Sequence, residues 1–302
     1  MEAMEVSSIF DIINITQRND AELMQYLQSV GLIKKQFKCK IRNCRRICTV
    51  RRKEGSYRLN HCFWCFKCRK MYPITIGTFF ERIRVPVRTL FYIMWCWACQ
   101  LPVKNTTELI SLQKGSVVNM YAHLRNILSW KLLQEEPFLL GGEGHTVQID
   151  ANIMGKRKYN GGRVIKEHWV LGIYDLGLKR GHVTYLKNRN RDKLVEIIQK
   201  HVQEGTEIWT NQSQGYSNLN HLGYIHKTVN NSKYFKNPQT GFCSNQVGGY
   251  LSRLKKYLRR LGVISSPFLP QYIEQFEWDS LYGHNARDRF KSIVEDIRQK
   301  YK

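Results

Sequence analysis

The sequence has no long hydrophobic run. Its longest strongly apolar stretch, Leu90 to Cys99, is about half of the roughly 20 residues that cross a bilayer, which excludes that stretch as a helical span. A secretory signal is not expected either, because Met1 to Phe10 carries Glu2 and Glu5 and no basic cluster. There is no internal repeat and no long low-complexity tract. Acidic residues are scarce: 24 Asp and Glu stand against 48 Lys and Arg, a formal net charge of +24. An excess of that size calls for a polyanionic partner, nucleic acid first and an anionic membrane surface second. What is present is ordinary globular composition, 42% hydrophobic and 24% charged, in 302 residues, enough for two or three compact units. The protein is expected inside the cell, where nine cysteines are better read as metal ligands and core residues than as disulfides.

The pattern divides the chain at about residues 35, 83 and 140. Residues 1–35 read as helical, with Leu23, Tyr26, Leu27 and Val30 at helical spacing and Asp20 placed to cap. Residues 36–83 are basic, aromatic and cysteine-rich, a small irregular module. Residues 84–140 read as all-helical. Val85 to Gln100 is an apolar helix opened by Pro86, and Thr106 to Leu112 is a short helix. Gln113-Lys114-Gly115 is a turn, and Ser116 is the N-cap of a helix to about Trp130. Helix, short glycine-containing turn, helix is helix-turn-helix spacing and makes Ser116 and Arg125 candidate DNA contacts. An ordinary helical hairpin that only packs fits the same spacing.

After Gly141-Gly142-Glu143-Gly144 the period changes, so residues 141–302 are treated as one domain. His145 to Asp150, His168 to Tyr174, His182 to Leu186 and Glu207 to Thr210 read as strands. Asp192 to Glu204 and Asn245 to Leu261 read as helices, which makes an α/β domain with a mixed sheet.

In the cysteine module, Cys39 and Cys44 are four residues apart in their spacer, and Cys65 and Cys68 two, about twenty residues on. Two close pairs flanking a loop are how a short chain sets four thiolates around Zn²⁺, and such a closed site is structural. Cys62 pairs with Cys65 equally well by spacing, His61 is another candidate ligand, and Cys48 lies between the pairs. Reduced core cysteines are the alternative to a metal. Cys96 and Cys99, among Met94, Trp95 and Trp97, read as buried residues of an apolar helix. Ten cations lie between Lys34 and Lys53 with no acid among them, including Arg45, Arg46, Arg51 and Arg52, a density suited to phosphate contact.

The stretch His145-Thr-Val-Gln-Ile-Asp150, then Gly155-Lys-Arg-Lys-Tyr159 and His168-Trp-Val170, resembles the Merlin superfamily of DDE transposases and their bacterial insertion-sequence relatives. The resemblance continues through Gly223-Tyr-Ile-His226, Val229-Asn230, Ser232, Pro238-Gln-Thr-Gly241 and a helix with Lys255, to Tyr272, Glu274, Phe276 and Trp278. Upstream, Cys68-Arg-Lys70 and Gly77-Thr-Phe-Phe80 fit the same family. It implies an RNase H-like α/β domain in which three carboxylates hold two Mg²⁺ or Mn²⁺ ions that activate water or a DNA 3′-hydroxyl. Matched residue by residue, the first carboxylate is Asp150. The second position is Asn211, in Thr210-Asn-Gln-Ser-Gln-Gly-Tyr216, and the third is Gly248, seven residues before Lys255. One carboxylate of three remains, so the resemblance implies that two-metal catalysis is lost. Asp175, Glu274 and Glu277 are the other acids nearby, and no spacing brings them to the site.

The remaining apparatus is basic: Lys156, Arg157 and Lys158; Lys187 to Lys193 with Arg189 and Arg191; and Lys255, Lys256, Arg259 and Arg260 on the last helix. The reading is a transposase-derived DNA-binding protein with structural zinc and no strand transfer, acting in the nucleus on DNA, with homo-oligomers implied by the resemblance. The alternatives are an active DDE transposase and a scaffold that binds nucleic acid or chromatin without sequence preference.

Overall fold

The structure is a computed structural model that describes residues 4–55, 59–136, 138–154, 168–187, 190–229, 245–263 and 267–302. Lys156, Arg157, Lys158, Arg189, Asn230, Ser232, the segment Pro238 to Gly241 and Cys243 lie outside the described residues. The chain opens with helices α1 (Ile9–Gln17) and α2 (Asp20–Ser29), then strands β1 (Phe37–Lys38), β2 (Ile47–Arg52), β3 (His61–Cys65) and β4 (Lys70–Pro73). Helices α3 (Val87–Ala98), α4 (Val103–Ile110) and α5 (Lys114–Gln134) follow. Next come β5 (Leu140–Gly141), β6 (Thr146–Met154), β7 (His168–Asp175), β8 (Arg180–Leu186), α6 (Arg191–His201), β9 (Val202–Gln203), β10 (Glu207–Asn211) and β11 (Ile225–Val229). Three helices end the chain: α7 (Asn245–Arg260), α8 (Leu269–Tyr282) and α9 (Ala286–Lys300). No helix among the described residues is long and apolar enough to cross a membrane. Two compact units result, Met1–Lys131 with Asp279–Lys302, and Leu132–Trp278.

In the first unit, α2 is capped by Asn19, not Asp20. Asn19 accepts from the Glu22 N–H at 2.9 Å and Glu22 accepts from the Asn19 N–H at 3.2 Å, a capping box. Asp20 is thereby left to pair with Arg88 of α3 at 2.6 Å. Helix α3 buries Leu90, Phe91, Ile93, Met94 and Trp97, and Trp95 meets Phe290 of α9 with ring centroids 5.8 Å apart. The last helix thus packs in this unit, whereas the sequence division joined it to residues from 141 onward. Cys96 is buried but Cys99 is exposed, because α3 ends at Ala98 and Cys99 is its cap.

Helix α5 begins at Lys114, so Gly115 and Ser116 lie inside its first turn and Ser116 is not its N-cap. The turn before it is Ser111 to Gln113, entered through Ser111 in the left-handed conformation (φ 53°). The Tyr121 hydroxyl ties the two helices, meeting Thr106 at 2.7 Å and donating to the Leu101 carbonyl at 3.1 Å.

The second unit holds a five-stranded sheet in the order β11-β10-β6-β7-β8. Strands β6, β7 and β8 run antiparallel in sequence, and β10 and β11 are parallel to each other and to β6. Counted from β6, that is the order 3-2-1-4-5 with three antiparallel and two parallel strands, the topology of the RNase H-like fold. The two-residue period assigns the faces. Val147, Ile149, Leu171 and Ile173 pack with Leu194 and Ile198 of α6. Val170 and Tyr174 pack with Tyr250, Leu251 and Leu254 of α7 and with Ile273 of α8.

Gly172 sets how closely α7 approaches. A Cβ there would lie 2.8 to 3.2 Å from the Leu251 side chain. Gly172→Ala is therefore expected to cost about 1–3 kcal/mol. The readout is a lower denaturant midpoint at unchanged slope, and a double variant with Leu251→Ala that loses less than the sum of the two single losses.

In the same unit His182 stacks on His201, with centroids 3.8 Å apart and 16° between planes, and His182 meets Glu277 at 2.5 Å. Burial, then His182 and Lys200, hold His201 down at about 3. A base whose folded pKa lies below its unfolded value of about 6.5 takes up its proton more readily when unfolded. Stability is thus full above pH 6.5 and falls as pH drops toward 3. Partial exposure screens the effect to about 1 kcal/mol by pH 4. His201→Gln is expected to flatten this acid limb in thermal melts taken from pH 7 to 4.

Candidate functional site

The cysteine module is a four-stranded antiparallel sheet, β1-β2-β3-β4. The Sγ atoms of Cys39, Cys44, Cys65 and Cys68 lie within 4.8 Å of one another, and Cys44 to Cys65 is 3.5 Å. Thiolates at the tetrahedral metal–sulfur distance of about 2.3 Å stand about 3.8 Å apart, so the cluster has the dimensions of a single-ion site. Each pair is followed by a left-handed residue, Arg45 (φ 47°) and Arg69 (φ 52°), which turns the chain back so that both thiols of the pair point inward. For a non-glycine residue this conformation costs about 1–2 kcal/mol, which the ligand geometry must offset. Crowding pushes Cys68 up to about 12, first through its hydrogen bond with Cys44 and then through burial. A metal ion would displace those protons.

The geometry resolves the ligands that spacing left open. Strand alternation puts Cys62 and Trp64 on the face of β3 opposite His61, Phe63 and Cys65, so Cys62 and Cys65 cannot point at one ion. His61 turns its Nδ1 to the Leu59 carbonyl at 2.5 Å. Cys48 is buried beside the cluster but outside the group of four. Around it Arg45, Arg46, Arg51 and Arg52 are exposed, with the Arg51 guanidinium 5.1 Å above the Trp64 ring.

The second site lies between β6 and α7. Gln148, Asp150 and Asn152 share one face of β6, the face opposite Val147 and Ile149. Gln148 Oε1 accepts the N–H groups of Gln246 at 3.0 Å and Val247 at 3.1 Å, which pins the start of α7. Lys255 donates to Asn152 Oδ1 at 3.0 Å and pins its far half. Nine helical residues rise about 13.5 Å and four strand residues about 13.6 Å, so α7 runs beside β6 in step. Asp150 then lies midway, level with Tyr250 and Leu251, less than one helical turn beyond Gly248. Its register partner on β7 is Gly172, the residue that Leu251 covers.

Strand β6 continues to Met154, paired throughout by β7, so Asp150 is central in its strand and not at its end. What does end there is the pairing with β10, whose last register partners are Thr210 and Ile149. Asn211 therefore projects beside Asp150 and donates its amide to Asp150 Oδ1 at 3.1 Å. Its own Oδ1 is taken by the Ser213 N–H at 3.2 Å. Gly248 offers no side chain, and a Cβ built on Gly248 or Gly249 meets nothing within 4 Å. Lys255 is held below the usual lysine range by burial and by Arg259, while Asp150 draws it back up.

Two divalent ions need hard anionic oxygens. Among the described residues this cleft presents one carboxylate, an amide that turns N–H toward it, and no side chain at Gly248, so these residues do not fit a two-metal centre. Two of the nearby acids are committed elsewhere. Asp175 accepts from the Gly141 N–H at 2.8 Å and the Leu178 N–H at 2.9 Å, and Glu277 accepts from the Val183 N–H at 2.9 Å.

Of the other sequence candidates, Lys256, Arg259 and Arg260 are exposed on α7 and Ser116 is half-buried in the first turn of α5. Arg125 is the correction: it is 3% exposed on the buried face of α5 with Tyr121 and Leu128, and so is withdrawn from any phosphate. Gln148 and Asn152 were not singled out from sequence, though their alternation with Asp150 in Gln148-Ile-Asp150-Ala-Asn152 carried the signal.

Residues 139–280 match the ISXO2-like transposase domain. The HTLV-2 integrase catalytic core domain in complex with magnesium, in its trimeric form, is 16% identical, covering 48% of this chain and 88% of its own at a TM-score of 0.30. The simian T-cell lymphotropic virus intasome in complex with PP2A regulatory subunit B56 gamma is 14% identical, covering 64% of this chain and 67% of its own at a TM-score of 0.33. Among curated proteins there is no match. Every residue of the cleft, from Gln148 to Lys255, falls inside the segment that is similar to a DDE-type transposase domain.

Proposed function

We propose that this chain is a transposase-derived, zinc-containing DNA-binding protein that no longer cuts or joins DNA. The observation that carries the reading is the Asn211 amide turned into Asp150 in a cleft whose third position is Gly248. Four thiols favour zinc over harder cations, and a closed four-sulfur site gives it a structural role. The Merlin-type resemblance, with its four-part division at 35, 83 and 140, supplies the origin. DNA contact is assigned to Arg45, Arg46, Arg51 and Arg52 on the cysteine module, to the first turn of α5 at Ser116, and to Lys256, Arg259 and Arg260 on α7. Lys156, Arg157 and Lys158 belong to the same assignment by sequence. The α4–α5 pair acts in this reading as a helix-turn-helix, the protein as a homo-oligomer, and the nucleus as its location. Net charge of +24 supports the choice of a polyanion.

The test is selection of bound duplexes from a random pool by the zinc-loaded protein, at salt of about 0.15 M, with a cleavage gel run alongside in Mg²⁺ and in Mn²⁺. Enrichment of a discrete motif without nicking is expected. Metal-dependent nicking that disappears in Asp150→Ala would establish the active transposase instead. Binding without enrichment, abolished by salt, would leave a nonspecific scaffold.

A further inference from the structure

The mismatch between the cleft and a pair of divalent ions has a positive counterpart. Asp150 is the one carboxylate assigned to the cleft; it acts on Lys255, and Arg259 stands near Lys255 on the same helix, so the three groups sum to one net positive charge. With carboxylates at 211 and 248 as well, the same sum would be one net negative charge, and a phosphate could enter only with metal ions. Here the sign is reversed without any ion. Asn211 adds a neutral N–H donor beside Asp150, and Lys255 is fixed at 3.0 Å from Asn152 rather than free on the surface. Among the described residues nothing lies within 4 Å of a Cβ position at Gly248 or Gly249, so a ligand can approach the helix backbone there. Helix α7 carries Arg253, Lys255, Lys256, Arg259 and Arg260 and no acid.

We infer that the β6–α7 cleft holds a backbone phosphate of DNA directly, with the Lys255 ammonium supplying the positive charge and no divalent ion taking part. This rests on the DNA-binding reading above and extends it: the former reaction centre becomes one of the contacts that hold the duplex.

The test is fluorescence anisotropy of the zinc-loaded full chain with a labelled duplex, over a range of salt, in EDTA-free buffer with and without Mg²⁺. Lys255→Gln is expected to weaken binding about 3- to 10-fold and to lower the slope of log K against log salt by about 0.9, the signature of one lost phosphate contact. Asp150→Asn, which removes the opposing charge at nearly constant shape, is expected to tighten binding about 2- to 5-fold. Mg²⁺ is expected to add nothing beyond its screening, in the wild type and in both variants. Thermal melts check that each variant is folded. Tightening by Mg²⁺ that Asp150→Asn abolishes would overturn the inference, as would folded variants that bind with unchanged affinity and slope. Absence of DNA binding by the wild type would instead overturn the DNA-binding reading on which it rests.

Discussion

Cys65→Ser is expected to release the zinc ion proposed for the four-cysteine cluster and to unfold the sheet from Phe37 to Pro73. The sheet has little else to hold it. Strand β1 is two residues long, five of the six residues of β2 are exposed, and Ile47 and Met71 are 58% and 52% exposed. Its own apolar contacts centre on Phe37, 5.5 Å from Phe63 and 5.0 Å from Tyr72. A core of that size does not stabilise a free-standing sheet. A structural zinc site contributes about 10–16 kcal/mol of apparent binding energy in small modules at neutral pH, and that energy is folding energy. Losing one thiolate of four therefore removes the fold of the module along with the ion. Metal analysis should fall from one zinc per chain to well under half, on the stoichiometry of a closed four-sulfur site. DNA affinity should drop at least about tenfold as Arg45, Arg46, Arg51 and Arg52 lose their fixed placement. Cys62→Ala is the matched control. It removes a buried side chain on the opposite face of β3 and is expected to cost about 1 kcal/mol while keeping the zinc. Retention of zinc by Cys65→Ser, or its loss from Cys62→Ala, would show that the ligand set is misassigned.

How far the sequence could be read depended on whether neighbours along the chain or across the fold decided each feature. The cysteine cluster was legible because spacing alone brings two close cysteine pairs together; the choice between Cys62 and Cys68 needed strand alternation. The strands from 145 to 211 were legible from their period of two, but the end of β6 was not, because its last residues are held by β7 through pairs such as Met154 with His168. Strand β11 and the helices α8 and α9 were not singled out, though the Asn285 cap and the helical spacing of Phe290, Ile293, Val294 and Ile297 carried a signal for α9. Arg125 illustrates the opposite error. A basic residue on a predicted recognition helix reads as a phosphate contact, yet the helix begins two residues earlier than its assumed N-cap and buries Arg125 with its apolar face. The cleft was legible as a set of positions and illegible as an arrangement. Counting placed Asp150, Asn211 and Gly248 together, but only the fold shows that the Asn211 oxygen is spent on Ser213 and its N–H on Asp150.

That arrangement makes the reverse substitution informative. Asn211→Asp combined with Gly248→Glu is expected to give the cleft a divalent-ion dependence that the wild type lacks. The backbone accepts both changes. A side chain at 248 grows into open space, and glutamate there replaces a glycine in the first turn of a helix, which gains about 0.5–1 kcal/mol of propensity and a further 0.3–1 from the helix dipole. Aspartate at 211 keeps an oxygen for the Ser213 N–H but loses the donation to Asp150 and sets a second carboxylate against it. Without metal that repulsion opposes folding and raises one of the two carboxyl pKa values. The double variant should therefore melt no higher than the wild type in EDTA, despite its better helix. With Mn²⁺ at a hundredfold excess over its dissociation constant, binding only the folded state adds about 2.7 kcal/mol. For a unit of this size that is a rise of about 5–10 °C in melting temperature. The wild type should not move, since its single carboxylate is already engaged by Asn211. The same variant should bind DNA more weakly than the wild type in EDTA, because two added acids turn the cleft from net positive to net negative. A double variant that is folded but indifferent to Mn²⁺ would mean that Asp150, residue 211 and residue 248 do not converge on one ion. The expected indifference of the wild type to Mn²⁺ would then have to lie in the backbone of the cleft as well as in Asn211 and Gly248.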